Sequence, residues 1–298
     1  MNLLSALLEP SQVPMKYPVL STGLSLLNLA LSGESEVGLQ SGSVVWVSGP
    51  SDSGRSTLCL TILAEASENG YFSDHALIYD DTEGQNIDIA GYFGNKVNAR
   101  IRRRASCGEE EFWNEMMDMD RPCIYVLDSL DGLGTSKRGW KVNNQQASCV
   151  FAHFRKLGSI LVLTAQEKKV DGQKKVAAGG YAVQFYADYC LRTTSGGCIF
   201  RPVAGKRRHV GTNTEIGIIK SVSGLQKIDS VPAPVFAGAG YDNAESVLLF
   251  MLRVKMAMKR GQVYSIPQFD FAGNLEEVLN FIRDFEPAIV NAVTGGVV

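Results

Sequence analysis

Several stretches of this chain are apolar at consecutive positions, and most lead through a polar turn into a segment of helical period. Ser43-Val44-Val45-Trp46-Val47-Ser48 reads as a buried strand, and Leu58-Cys59-Leu60-Thr61-Ile62-Leu63-Ala64-Glu65-Ala66 as a helix with apolar residues at helical spacing. Further buried strands are predicted at Ala76-Leu77-Ile78-Tyr79-Asp80-Asp81-Thr82-Glu83-Gly84, at Pro122 to Ser129, and at Leu157 to Gln166. This alternation from about residue 43 to 170 predicts an α/β fold with a mainly parallel sheet. From about 183 to 236 the texture changes to short antiparallel strands, with turns at Ser195-Gly196-Gly197 and Gly211-Thr212-Asn213. Val231-Pro232-Ala233-Pro234 and Gly238-Ala239-Gly240 mark a boundary. The expected units are a short N-terminal segment, 1–20, a core, 21–237, and a small C-terminal α/β domain, 238–298. The last holds a helix at 244–260, a strand at 262–266 and a helix at 275–290.

The turn after the first buried strand is Gly49-Pro50-Ser51-Asp52-Ser53-Gly54-Arg55-Ser56-Thr57. A glycine-rich turn between strand and helix lets successive backbone N–H groups surround a phosphate, and the helix N-terminus adds its positive dipole end. All nine residues are candidate nucleotide contacts. Ser56 stands where a hydroxyl meets Mg²⁺, and Arg55 where a lysine normally reaches the β- and γ-phosphates. The substitution matters because arginine is a planar fork and lysine a compact point charge on a flexible stem.

Three other strands end in polar groups on the same side of the expected sheet. Ligands of open α/β sheets bind beyond the carboxyl ends of the strands, so Glu83, Asp128 and Gln166 converge on the phosphate loop. Asp128, after four apolar residues, has the form of a carboxylate that holds Mg²⁺ directly or through water. Glu83 is the candidate to orient and deprotonate an attacking water. Gln166 is placed to sense the γ-phosphate and pass its presence to the segment that follows.

The net charge of −2 conceals a strong asymmetry. Residues 137–209 hold 14 Lys and Arg against Glu167, Asp171 and Asp188, a balance of +11 that leaves −13 elsewhere. Such segregation marks a nucleic-acid surface on an otherwise acidic protein. Lys137, Arg138 and Lys141 surround Trp140, the mixture of cations and aromatic face that single-stranded nucleic acid uses. Lys168, Lys169, Lys174 and Lys175 form a second basic loop directly after Gln166. Arg100-Ile101-Arg102-Arg103-Arg104 reads as an exposed face or a subunit contact. The six cysteines form no Cys-x-x-Cys pair, which favours a reduced, cytoplasmic protein without a disulfide framework or zinc site. No apolar run approaches the roughly 20 residues of a membrane span. Met1 to Glu9 looks like a short amphipathic helix closed by Pro10.

Taken in order, Leu20-Ser21-Thr22-Gly23-Leu24, the phosphate loop, Asp81-Thr82-Glu83-Gly84, Val126-Leu127-Asp128-Ser129, Ala165-Gln166 and Gly179-Gly180-Tyr181-Ala182-Val183-Gln184-Phe185-Tyr186-Ala187 resemble the RecA-type strand-exchange recombinases. The resemblance covers roughly residues 20 to 285. It implies a RecA-like P-loop core that binds ATP and Mg²⁺, hydrolyses ATP and forms a helical homo-oligomeric filament on single-stranded DNA, pairing it with homologous duplex DNA. The basic loops, with Gly179 and Gly180, would line the filament axis, and Lys220 would reach the neighbouring subunit's nucleotide. Met1 to Leu8 would be a shortened polymerisation segment. This chain departs from the family at Arg55, at Val222, where bacterial RecA carries a second lysine, and in its abbreviated N-terminal helix. Those departures keep open a weakly hydrolysing DNA-binding or filament-regulating relative, and a motor ATPase of the wider superfamily is a third reading.

Overall fold

The consecutive apolar runs become the middle of an 11-stranded sheet with helices on both faces. The computed structural model describes residues 18–133, 144–170, 174–177, 180–222 and 228–296. In chain order, β1 (Val19–Leu20), α1 (Ser25–Ser32) and β2 (Leu39–Gln40) lead into β3 (Val44–Gly49) and α2 (Arg55–Glu68). The alternating part continues through β4 (Ala76–Asp81), α3 (Ile89–Arg100), β5 (Ile101–Arg104), α4 (Glu109–Asp118), β6 (Cys123–Asp128), α5 (Asn144–Leu157) and β7 (Ile160–Val170). Next come β8 (Lys174–Ala177), α6 (Gly180–Tyr186), and the long pair β9 (Tyr189–Val203) and β10 (Lys206–Lys220). The chain closes with β11 (Ser230–Pro232), β12 (Val235–Phe236), β13 (Gly240–Tyr241), α7 (Asn243–Arg253), β14 (Met258–Arg260), β15 (Val263–Ile266), β16 (Phe271–Gly273) and α8 (Leu275–Gly296).

The sheet runs β13-β12-β10-β9-β3-β7-β6-β4-β5, with β11 also on β10 and β8 also on β7. From β9 to β5 the pairings are parallel, and beyond β9 they are antiparallel. A strand covered on both faces has no reason to alternate apolar and polar residues. In β3, Val45 and Val47 face the layer of α1, α2, α7 and α8, while Val44 and Trp46 face α4 and α5. The same division places Ile124 and Val126 of β6 on the first side and Tyr125 and Leu127 on the second. The first core continues without a break across residue 237, from Leu58 and Ile62 of α2 to Val247 and Leu248 of α7 and Val278 and Ile282 of α8.

The sheet is built differently from expectation in its antiparallel part. The predicted turns at Ser195-Gly196-Gly197 and Gly211-Thr212-Asn213 lie inside β9 and β10, which are each 15 residues long. The actual turn is Ala204-Gly205, between paired Val203 and Lys206, with φ of 50° and 74°. Two consecutive positive φ values are what a two-residue hairpin requires. Gly211 serves another purpose: a Cβ there would lie 2.2 Å from the Val235 carbonyl of β12, and the register shifts beside it. A glycine that permits close backbone approach looks, in sequence, like one that turns the chain. Similarly, the helix predicted over 244–260 stops at Arg253, and Met258–Arg260 is a strand.

Candidate nucleotide site

The phosphate loop emerges from β3 at the level where Gly49 pairs with Gln166 of β7. Neighbouring β6 and β4 end together, with Asp128 paired to Asp81. The four predicted strand ends are therefore adjacent on one sheet edge. Asp52 and Gly54 take positive φ of 57° and 87°, which curls the loop over the start of α2. A Cβ on Gly49 would lie 2.3 Å from Thr193 Oγ1, so only glycine fits against β9 at this point. Thr193 also fixes the loop by a 2.6 Å hydrogen bond with Ser53 Oγ, which lies 2.7 Å from the Pro50 carbonyl.

Ser51 to Thr57 line a cavity of about 370 Å³ together with Glu83, Gln85, Ile87 and Tyr92. Arg55 opens α2 and is only 8% exposed, yet its buried Nη1 has no hydrogen-bond partner. A buried guanidinium nitrogen without an acceptor is costly, and in a cavity lined by a helix N-terminus the matching partner is an anion. The residues thus fit a nucleotide's phosphates. Asp128 is buried and accepts from Tyr79 Oη at 2.8 Å and Thr164 Oγ1 at 2.7 Å. Each carboxylate oxygen keeps a further acceptor direction, as water-mediated ligation of Mg²⁺ would use. Burial, with the Asp128 charge next to it, pushes the Tyr79 phenol far above its usual range, so Tyr79 remains a donor.

Glu83 sits on an exposed turn whose shape is fixed from below. Asp81 accepts from the backbone N–H groups of Gln85 at 3.0 Å and Asn86 at 2.9 Å, while Thr82 Oγ1 donates to the Ser129 carbonyl at 2.6 Å. The Glu83 carboxylate accepts from Ser129 Oγ on one oxygen and from Gln85 Nε2, at 3.0 Å, on the other. The carboxylate is held in place without being removed from solvent. Gln166 reaches across to the loop: its Nε2 donates to Ser51 Oγ at 2.7 Å, and its N–H to Asp131 Oδ2 at 2.6 Å.

Lys220 is apart from this cluster. It pairs with Cys190 of β9, which pairs with Trp46, below the level of the phosphate loop. Its Nζ donates to the carbonyls of Phe185 at 2.9 Å and Ala187 at 2.6 Å, at the end of α6. Much of the basic segment expected as a loop after Gln166 is strand. Strand β7 continues to Val170 and pairs antiparallel with β8, opposing Lys169 to Lys175 and Val170 to Lys174. Lys168, Lys169, Lys174 and Lys175 are thus carried on two paired strands. Lys137, Arg138, Trp140, Lys141 and Gly179 lie outside the described residues, as does the N-terminal segment to residue 17, and Gly180 begins α6. Arg102 to Arg104 are exposed on β5, an edge strand, with Arg104 paired to Glu115. Sequence patterns did not reveal Thr193 or Tyr92 as site residues, because neither lies in a motif.

A strand, phosphate loop and helix, with acidic and amide strand ends on one sheet edge, define a P-loop nucleotide-binding core of the RecA/KaiC-like type. The comparisons agree on the class. No family model matches the sequence. The chain is 24% identical over 288 residues to Protein RecA of Syntrophobacter fumaroxidans, covering 91% of this chain and 81% of that protein. It is 23% identical over 294 residues to the mitochondrial DNA repair protein recA homolog 3 of Arabidopsis thaliana, covering 92% and 66%. Among solved structures, a KaiC-like protein from Pyrococcus horikoshii superposes with a TM-score of 0.50 at 12% identity, covering 76% of this chain and 98% of that one. The chain thus has a RecA/KaiC-like fold and a weak similarity to RecA proteins over most of its length. Among the described residues, no helix is long and apolar enough to cross a membrane.

Proposed function

We propose that this protein is an ATP-dependent recombinase that assembles on single-stranded DNA as a helical filament and promotes homologous pairing and strand exchange. One observation carries the reading. Gln166 bonds the phosphate loop through Ser51 and stands at the root of the β7–β8 hairpin with its four lysines, so nucleotide and polyanion sites would share one strand. In this reading the loop amides and Arg55 hold the phosphates, and Ser56 and Asp128 hold Mg²⁺. The ion would neutralise charge developing on the phosphates. Glu83 orients the water and accepts its proton. The hairpin lysines and the Lys137–Lys141 segment grip the DNA backbone, with Trp140 stacking on bases. The RecA relatives support the DNA partner and the filament, in which Lys220 would leave its two carbonyls for a neighbouring subunit's nucleotide.

Fluorescence anisotropy of a labelled single-stranded oligonucleotide, titrated under ATP, ADP and no nucleotide, tests this directly. Cooperative binding with ATP that weakens with ADP is the expected result; no binding in any state would overturn it. Replacing Lys168, Lys169, Lys174 and Lys175 together by alanine should weaken DNA binding and lower the slope of log affinity against log salt by about 3, if all four contact phosphates of a single strand. An unchanged slope would move the DNA site off this hairpin.

Arg55 favours a second reading, a DNA-binding relative that holds ATP but scarcely hydrolyses it. A planar guanidinium does not occupy the same slot, with the same reach, as a lysine's compact ammonium. Intact ATP affinity with negligible turnover, with or without DNA, would select this alternative.

A further inference from the structure

We propose that Tyr241 is a positioning residue for the phosphate loop, holding the peptide that joins Gly54 to Arg55 so that its N–H faces the phosphates. This rests on the nucleotide reading above and adds a residue that no motif in the sequence marks. Tyr241 belongs to β13, the last short strand on the antiparallel side of the sheet, and is 187 positions away from Gly54 in the chain. Its hydroxyl donates to the Gly54 carbonyl at 2.9 Å. The same carbonyl accepts the Leu58 N–H at 2.9 Å, the first backbone bond of α2.

The geometry follows from peptide planarity. In a trans peptide the C=O and N–H vectors point in opposite directions, so fixing the Gly54 carbonyl also fixes the Arg55 N–H. That N–H is one of the four at the start of a helix without an intrahelical acceptor, the donors that bind anions. The conformation needs fixing, because Gly54 is left-handed, at φ 87°, and a glycine backbone is otherwise free. A Cβ at Gly54 would lie 2.7 Å from Tyr241 Oη, so the two are packed with no room between them. Burial pushes the Tyr241 phenol well above its usual range, which keeps it protonated as a donor. Tyr241 is also attached to a rigid neighbour. The next residue, Asp242, caps α7 by accepting the Glu245 N–H at 3.0 Å, and Glu245 grips Arg201 of β9 through two oxygens at 2.6 and 2.7 Å. The hydroxyl is therefore supplied from a braced element and not from a loose loop.

Tyr241→Phe keeps the ring and removes only the donor. Binding is read by titration of a fluorescent ATP analogue, displaced in separate experiments by ATP, inorganic triphosphate and adenosine. Loss of one neutral hydrogen bond predicts ATP and triphosphate affinities about fivefold weaker. Adenosine, which has no phosphate, should displace the probe from the variant more readily by that same factor and show an unaltered affinity of its own. The melting temperature should move by no more than about 4 °C. Equal affinity for triphosphate in both proteins would overturn the role of Tyr241, as would an adenosine loss matching the triphosphate loss or a larger fall in melting temperature. If the unaltered chain bound no nucleotide, the nucleotide reading itself would fall, an outcome distinct from binding by both proteins with equal strength.

Discussion

Replacing Glu83 by glutamine lowers ATP turnover by about 100-fold or more, while ATP and DNA affinities stay within about twofold. The expectation follows from how the carboxylate is held. Ser129 and Gln85 each donate to one of its oxygens, and they would still position one oxygen of an amide at the same place. Shape is thus preserved and basicity is lost. Phosphate-release kinetics at saturating ATP, beside an equilibrium binding titration, separate the two quantities. Unchanged turnover would remove Glu83 from the reaction and leave water activation to another group. A joint loss of binding and turnover would mean that the Asp81-Thr82-Glu83 turn is a scaffold for the loop and not a chemical element.

Arg55→Ala should raise the ATP dissociation constant about 10- to 100-fold, the scale of hydrogen bonds from a charged donor. The more discriminating result is its effect on stability. In the free protein Arg55 buries a cation whose Nη1 satisfies no acceptor, so the substitution removes a desolvated charge. The nucleotide-free variant should therefore melt no lower than the original. At one fixed high ATP concentration the melting temperature of the variant should rise less than that of the original, short by the about 1.4 to 2.7 kcal/mol that a 10- to 100-fold weaker Kd removes. Thermal scans with and without ATP check both halves. A large loss of stability without nucleotide would show that Arg55 is a structural brace. Arg55→Lys is the complementary change: a lysine there should keep most of the affinity, and increased turnover would identify the guanidinium as the brake on hydrolysis.

The parts of this site that could be read from sequence are those whose chemistry is local. The phosphate loop, the Glu83 and Asp128 carboxylates and the Gln166 amide each lie at or just beyond the end of a mainly apolar strand, and a strand buried on both faces betrays itself that way. Their side-by-side placement then follows from parallel topology. What could not be read depends on partners far along the chain. Gly205 turns the backbone, whereas Gly211 lets β12 approach and Gly49 accommodates Thr193, yet all three are simply glycines in sequence. The lysines after Gln166 looked like a loop because charged residues are poor strand formers, and cross-strand pairing overrode that preference. Tyr241 gave no signal at all. Its significance exists only once the antiparallel extension folds back beside α2.

The arginines of β5 have a consequence for assembly. An open sheet offers unsatisfied backbone groups along its outermost strand, and a second copy could add to it without regard to sequence. Here that rim displays Arg102 and Arg103, beside an Arg104 already paired to Glu115, and two copies meeting there would set cation against cation. Stacking by strand addition is thereby discouraged. The charged rim thus works against backbone pairing of two copies along β5.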